Sequence, residues 1–244
     1  TVLTAALPAP ALAAATGLSI ASAELGNVFS GDEEPRFTFR SAAPTASWTV
    51  TDLTGRVVRE GESASAADSG SFAVPDLDRG WYHLTVAAAD QTAATTFAVL
   101  AEPAPTADRR DDRFGTATHY GASWGIDSLP LIAEAGIGGL RDEMYWGAVE
   151  TTQGEYDWAG MRGKFFDAVE DSGVAPLLIA GYGNNFYDGG NGPVSAEAVD
   201  AYTDYAVSMA DEFGDVAAGI EIWNEWDIGL GGNTNTDAEH YVNL

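Results

Sequence analysis

The sequence predicts a multidomain chain: a small immunoglobulin-like all-β sandwich over 19–100, then the first half of a (β/α)8 TIM barrel over 114–244. Three observations carry this expectation. Short apolar/polar alternations fill the first part, broken by Gly, Asp and Pro at intervals of roughly 8–12 residues, the rhythm of sandwich strands. A polar, Pro-containing stretch over 101–113 then reads as a linker. Beyond it, strand-like runs alternate with helical spacing, and βαβα alternation builds a parallel sheet with few ways of closing.

In the first domain, Phe37-Thr38-Phe39 and Trp48-Thr49-Val50 alternate, and the second run enters a turn at Asp52-Leu53-Thr54-Gly55 before Val57-Val58. Phe72-Ala73-Val74 stops at Pro75, and the runs from Trp81 to Val86 and from Phe97 to Leu100 complete the set. Trp81, Tyr82 and His83 offer either a sugar-stacking platform or packing between sheets or against the barrel; large aromatics fill such cores often enough to favour packing.

In the second domain, Phe114 to His119 reads as a first strand, Ser128 to Ala135 as a short helix ended by Gly136, and Gly138 to Arg141 as a second strand. Trp158, Met161, Phe165, Phe166 and Val169 recur with helical spacing up to Gly173, and all three aromatics read as core. The unbroken apolar run from Val174 to Ala180 is the mark of a strand buried on both faces. Ser195 is a fitting N-cap for a helix whose stripe is Val199, Tyr202, Ala206, Met209 and Phe213. Val216 to Trp223 is a fourth strand, and Asp237 opens a further helix. The Gly/Asn-rich segments at 181–185 and 189–192 lack the Lys and Ser/Thr of a phosphate loop and read as barrel-top loops.

Composition narrows the functions available. The chain has 244 residues, 45% of them apolar, enough for one large core or two modest ones. Its formal net charge of −26, with no Lys or Arg after Lys164, argues against nucleic acid or an anionic membrane surface as partner. It has no cysteine, so neither a disulfide framework nor a thiolate metal site is possible, and His83, His119 and His240 match no metal-ligand spacing. No cofactor is expected. Residues 1–16 are Ala- and Leu-rich without charge, and Ala11-Leu12-Ala13 has the small-x-small pattern of a signal-peptidase site. The expectation is a signal-peptide remnant on an exported, extracellular protein, with the sequence a fragment at its start.

The chemistry concentrates in Gly219-Ile220-Glu221-Ile222-Trp223-Asn224-Glu225-Trp226. The alternation is that of a strand, and its end presents a carboxyl group next to an amide and between two indoles. Burial among aromatics raises a carboxyl pKa, and aromatic faces stack on sugar rings, so Glu225 fits a glycosidase general acid. The competing reading is a Glu paired with an Arg at a strand end. The expected strand ends at His119, Arg141, Tyr182 with Asn184, and Asn224 with Glu225 would meet on one face of a barrel, where barrel enzymes hold their active sites.

Three segments carry a family likeness. They are Gly136 to Glu143 followed by Trp146, Val149-Glu150, Gly154 and Tyr156-Asp157-Trp158; the run from Gly173 to Tyr182; and Glu221-Ile222-Trp223-Asn224-Glu225. In them the second domain resembles the clan A glycoside hydrolases, most nearly the secreted family 39-like and family 5-like enzymes. The resemblance implies that Glu225 protonates the leaving-group oxygen and then deprotonates the attacking water. It implies that Asn224 hydrogen-bonds the sugar 2-hydroxyl and that Arg141 lies beneath the subsite and keeps the nucleophile ionised. His119, Trp146, Tyr182 and Trp226 would line the subsite. Arg141 has an alternative in an ion pair with Asp142, Glu143 or Glu150, and His119 in a satisfied core histidine.

The clan's nucleophile, a Glu ending the seventh strand and ~5–5.5 Å from the acid in a retaining enzyme, is expected beyond Leu244. Asp142 and Glu143 lie where the clan places no nucleophile, and Asp227, Asp237 and Glu239 cannot replace it. The sequence therefore reads as a retaining β-glycosidase of the β-xylosidase, β-glucosidase or endoglycanase kind, acting on poly- or oligosaccharides. Taken alone, the 244-residue chain would be inactive. Two rivals stand: a non-catalytic carbohydrate-binding barrel protein, and an α-L-arabinofuranosidase of the same clan.

Overall fold

The computed structural model of the protein describes residues 17–101 and 113–244, without the side chains of 164 and 165. The expected signal segment 1–16, nearly all of the expected linker and the Phe165 side chain lie outside the described residues. The described residues fall into two compact units.

The first unit has eight strands: β1 Ser19–Ala21, β2 Val28–Ser30, β3 Arg36–Arg40, β4 Thr45–Asp52, β5 Val57–Ala64, β6 Ser69–Ala73, β7 Gly80–Ala88 and β8 Gln91–Leu100. They form one sheet of order β1-β3-β6 and a second of order β2-β8-β7-β4-β5. Every strand anticipated from alternation is present. β1 and β2 are additional; at three residues each they are too short to show a period, and pairing with β3 and β8 defines them.

Period 2 explains what is inside. Along β3, Phe37 and Phe39 are buried while Arg36, Thr38 and Arg40 are exposed. They meet Phe72 of the same sheet and Trp48, Val50, Leu84 and Phe97 of the other in one core. Trp48 stacks on Phe72 with centroids 5.0 Å apart and planes 6° from parallel. Fully burying each such aliphatic or aromatic side chain contributes about 1.5–3 kcal/mol. The same period divides the aromatic triplet of β7. Tyr82 is buried with its hydroxyl on the Asp78 carbonyl at 2.6 Å, whereas Trp81 turns away from the inter-sheet core and is 44% exposed.

The second unit is built on four strands, β9 Gly115–Ala117, β10 Gly139–Tyr145, β11 Ala175–Gly181 and β12 Gly219–Ile222, all parallel and adjacent in chain order. β10 runs four residues past Arg141, where its expected end lay, because it stays paired with β11 as far as Tyr145↔Gly181. Between the strands lie α1 Leu129–Glu134, α2 Trp146–Val149, α3 Ala159–Met161, α4 Asp167–Ser172 and α5 Ala196–Phe213, and α6 Ala238–Tyr241 follows β12.

The helix expected around 158–173 is irregular: a π-helical stretch, Arg162–Phe166, joins α3 to α4. It ends as expected at Gly173, whose φ of 66° is the left-handed conformation that a Cβ disfavours. Ser195 caps α5 by accepting the Ala198 N–H at 3.2 Å. The buried stripe of α5, Tyr202, Tyr205, Met209 and Phe213, packs with Leu178 of β11 and with Trp158 and Phe166. Two tyrosine hydroxyls on that stripe satisfy strand carbonyls: Tyr202 donates to Ala180 at 2.6 Å and Tyr205 to Met144 at 2.5 Å.

Candidate active site

Strands β10 and β12 and the residues just after β11 and β12 bring three predicted residues, Arg141, Tyr182 and Asn224, into one hydrogen-bonded group with Glu221. Arg141, projecting from β10, donates through Nε and Nη2 to the two oxygens of Glu221 on β12, at 2.7 and 2.6 Å. Its Nη2 also donates to Asn224 Oδ1 at 2.7 Å, and Asn224 Nδ2 donates to Tyr182 Oη at 3.1 Å. The Glu221 hydrogen bonds hold the guanidinium above its ordinary pKa, against a burial effect of opposite sign. Burial pushes the Tyr182 phenol up, with the Asn224 contact working the other way.

Arg141 thus has a carboxylate partner, but not Asp142, Glu143 or Glu150. Each of those has other work. Asp142 is wholly buried and accepts from Thr118 Oγ1 at 2.6 Å and from the N–H groups of Tyr120 and Gly121 at 2.7 and 3.0 Å, which fixes the loop after β9. Glu143 lies 2.9 Å from Nδ1 of His119. Glu150 accepts from Trp146 Nε1, from Gly154 N at 2.7 Å and from Tyr187 Oη at 2.7 Å.

Glu225 follows β12 with φ 52° and ψ 50°, a left-handed backbone that is uncommon for a non-glycine residue. Trp223 also has a positive φ, of 61°. Glu225 lines a cleft of 280 Å³ with Glu221, Trp223, Trp226, Thr236 and Tyr241. The residue is nevertheless exposed, and its carboxylate makes no hydrogen bond among the described residues. The desolvated carboxyl group expected between two indoles is therefore absent from this arrangement: Trp223 and Trp226 are both buried, with ring centroids 5.0 Å apart, and pack on each other.

The other expected lining residues divide. Tyr182 borders a second hollow, of 480 Å³, with Tyr145 and the small residues Gly121, Ala122 and Ser123. His119 is half-exposed against Glu143 and sits edge-on to Trp124 at 5.1 Å. Trp226 contributes to the cleft, but its Nε1 donates to the Asp237 carbonyl at 3.1 Å. Trp146 is not a lining residue. It is fully buried, stacked on Tyr187 at 5.0 Å and on Tyr205 at 5.6 Å, and tied to Glu150. β10 runs on to Tyr145, so Trp146 falls on the first turn of α2 and points into the helix-side core.

Sequence reasoning gave no role to Glu221, although a signal for it exists. It is a lone charge inside an otherwise apolar strand, and such a group needs a partner. With no Lys or Arg after Lys164, the partner had to come from earlier in the chain. Among the described residues no group of three or more His, Asp or Glu side chains could hold a metal ion. No described helix is long and apolar enough to cross a membrane.

No family model matches this sequence, and no curated protein does. Among solved structures, a family 39 glycoside hydrolase from the gut symbiont Bacteroides cellulosilyticus WH2 superposes with a TM-score of 0.66 over 83% of this chain, at 22% identity. The chain is similar to that hydrolase in fold. It spans 43% of the other chain's length. A β-glucosidase from Exiguobacterium marinum matches 51% of this chain and 38% of its own, at 19% identity and a TM-score of 0.39, too low to carry an argument.

Proposed function

We propose that this chain is part of a secreted, retaining glycoside hydrolase that cleaves O-glycosidic bonds of poly- or oligosaccharides, with Glu225 as acid/base. The first unit is read as a β-sandwich, and the four parallel strands, in chain order, as the first half of a (β/α)8 barrel. The fold likeness to the family 39 enzyme supports that architecture. One observation carries the site: Glu225 borders an indole-walled cleft at the end of the fourth parallel strand, beside an Asn224 clamped by Arg141 and Tyr182.

The proposed chemistry follows from what each group has left to offer. An asparagine amide has two N–H donors and an oxygen with two lone pairs. Arg141 occupies one lone pair of Asn224 and Tyr182 one N–H, so a single oriented N–H remains for a sugar 2-hydroxyl. Glu225 has both oxygens free for the glycosidic oxygen and then for water. Its exposure means that desolvation has to come with the substrate, whose rings expel water from the cleft and strengthen the charges within it. Arg141, already bound to Glu221, serves first to fix Asn224.

The test is Glu225→Gln in the natural protein, assayed on paired substrates. Hydrolysis of glycosides with poor leaving groups should fall by 10²-fold or more, the usual scale for lost general acid–base catalysis. Activated aryl glycosides, which leave without a proton, should lose less. Equal losses on both, or none, would remove the acid/base role. The exposed, unbonded Glu225 favours one rival, a carbohydrate-binding barrel without catalysis; saccharide binding with no hydrolysis of any aryl glycoside would establish it.

A further inference from the structure

The first unit carries a hollow of 560 Å³ where β4 turns into β5 and the 76–80 segment enters β7. Its wall is held in place from within. Asp52 accepts the N–H groups of Thr54 and Arg56, the Thr54 hydroxyl at 2.6 Å and Arg56 Nε at 3.0 Å, which fixes the β4–β5 turn. Arg59 is clasped onto the carbonyls of Val58, Pro75 and Asp76, and the Tyr82 hydroxyl binds the Asp78 carbonyl.

Several groups on this rigid frame remain unused. Trp81 lines the hollow 44% exposed, and among the described residues its ring meets no other aromatic ring and its Nε1 no acceptor. Arg79, Asp76 and Asp78 are exposed, and no side-chain hydrogen bond or ion pair engages them among the described residues.

Charge identifies the ligand class. Three arginines, Arg56, Arg59 and Arg79, line the hollow out of 11 Lys and Arg in the whole chain. Three aspartates, Asp52, Asp76 and Asp78, line it as well. Three positive against three negative charges make the hollow electrically balanced on a chain of formal charge −26. An anionic polymer would gain nothing net here and would be repelled by the rest of the surface; a cation would gain more elsewhere. A half-exposed indole flanked by free donors and free acceptors suits a neutral, polyhydroxylated ring, which presents a C–H face for stacking and hydroxyls that both donate and accept. The volume is within the usual range for a small-ligand site.

The geometry points to a second saccharide site, on the first unit, in which Trp81 stacks a sugar ring of a neutral polysaccharide while Asp78 and Arg79 bind its hydroxyls. This site does not depend on the role of Glu225. It would hold a polymer to the protein without reacting.

Affinity electrophoresis of the 244-residue chain tests it, in native gels containing soluble xylan, mixed-linkage β-glucan, galactomannan or, as the anionic arm, polygalacturonate. At least one neutral polymer should retard the chain. Trp81→Ala should raise the apparent Kd about tenfold or more, the scale of a lost aromatic anchor, and the double variant Asp78→Asn/Arg79→Ala should weaken retardation in part. Trp81→Tyr keeps a stacking face and should retain part of the retardation, which separates lost binding from lost folding. In the natural protein, Trp81→Ala should leave hydrolysis of a small aryl glycoside unchanged, so this site and the Glu225 site are read by different measurements. No retardation by any neutral polymer, equal retardation of Trp81→Ala and the parent chain, or retardation by polygalacturonate alone would overturn the proposal.

Discussion

Arg141 and Glu221 stand 80 residues apart in sequence and meet through two hydrogen bonds of 2.7 and 2.6 Å across the face of β11. The strand between them sets the geometry. Arg141 is in register with Leu177, and Leu177 with Gly219, so Glu221 lies one side-chain repeat further along β12 on the same face. The paired contact fixes the guanidinium, and Asn224 takes its orientation from it.

Both side chains are about one-third exposed, so solvent screening limits the pair's contribution. A double-mutant cycle of Arg141→Ala and Glu221→Ala, followed by urea unfolding, should give a coupling of about 1 kcal/mol that shrinks in high salt. Each single variant should also weaken saccharide binding in the cleft, since Asn224 loses its anchor. A coupling of zero would make the contact incidental.

Trp146 separates a packing role from a subsite role. Trp146→Ala empties a site walled by Tyr187 and Tyr205 and leaves Glu150 without one donor, so unfolding of the second unit should be easier by about 3–5 kcal/mol. A subsite residue would instead lower binding with stability intact. Chemical denaturation followed by near-UV circular dichroism distinguishes the two.

Tyr187 makes stability depend on alkaline pH. Burial, then its hydrogen bond to Glu150, raises its phenol from 10.0 to about 12. A raised folded-state pKa means that the folded protein holds the proton more tightly. Its contribution is therefore complete below pH 10 and is lost as pH rises towards about 12. Tyr187→Phe should flatten that part of the stability profile, measured as Tm against pH. An unchanged slope between pH 10 and about 12 would count against the assignment.

Gly231 bears directly on the candidate site. Its φ is +74°, and a Cβ there would overlap the Tyr182 ring. Gly231→Ala should cost about 1 kcal/mol from the backbone alone and should displace Tyr182 and with it the Asn224 amide, weakening saccharide binding beside Glu225. Gly232, at φ +82° but with open space around a Cβ, is the control: Gly232→Ala should destabilise without changing binding.

How much of this was legible in the sequence depends on how local each cause is. Alternation gave the longer strands, because burial on one face repeats every second residue. Gly173 and Ser195 marked helix ends through backbone conformation and a side-chain cap, both local effects. β1 and β2 were missed because three residues cannot display a period, and the π-helical stretch because it changes the spacing without an obvious residue to announce it. At the site, strand-end position placed Asn224 and Tyr182; Arg141, expected at a strand end, lies inside β10, and the fold still brings the three together. The lining role that the family resemblance implied for Trp146 is not met, because β10 runs on to Tyr145 and the indole turns into the core.

By itself, then, the sequence determined the longer elements, the change of rhythm between two units and the grouping of Arg141, Tyr182 and Asn224. These follow from interactions over a few residues. Only the tertiary structure decided which carboxylate holds Arg141, that Glu225 faces solvent, and that the outward Trp81 lies beside a charge-balanced hollow. Those depend on register across strands far apart in the chain and on which face of an aromatic finds neighbours, and no local pattern encodes either.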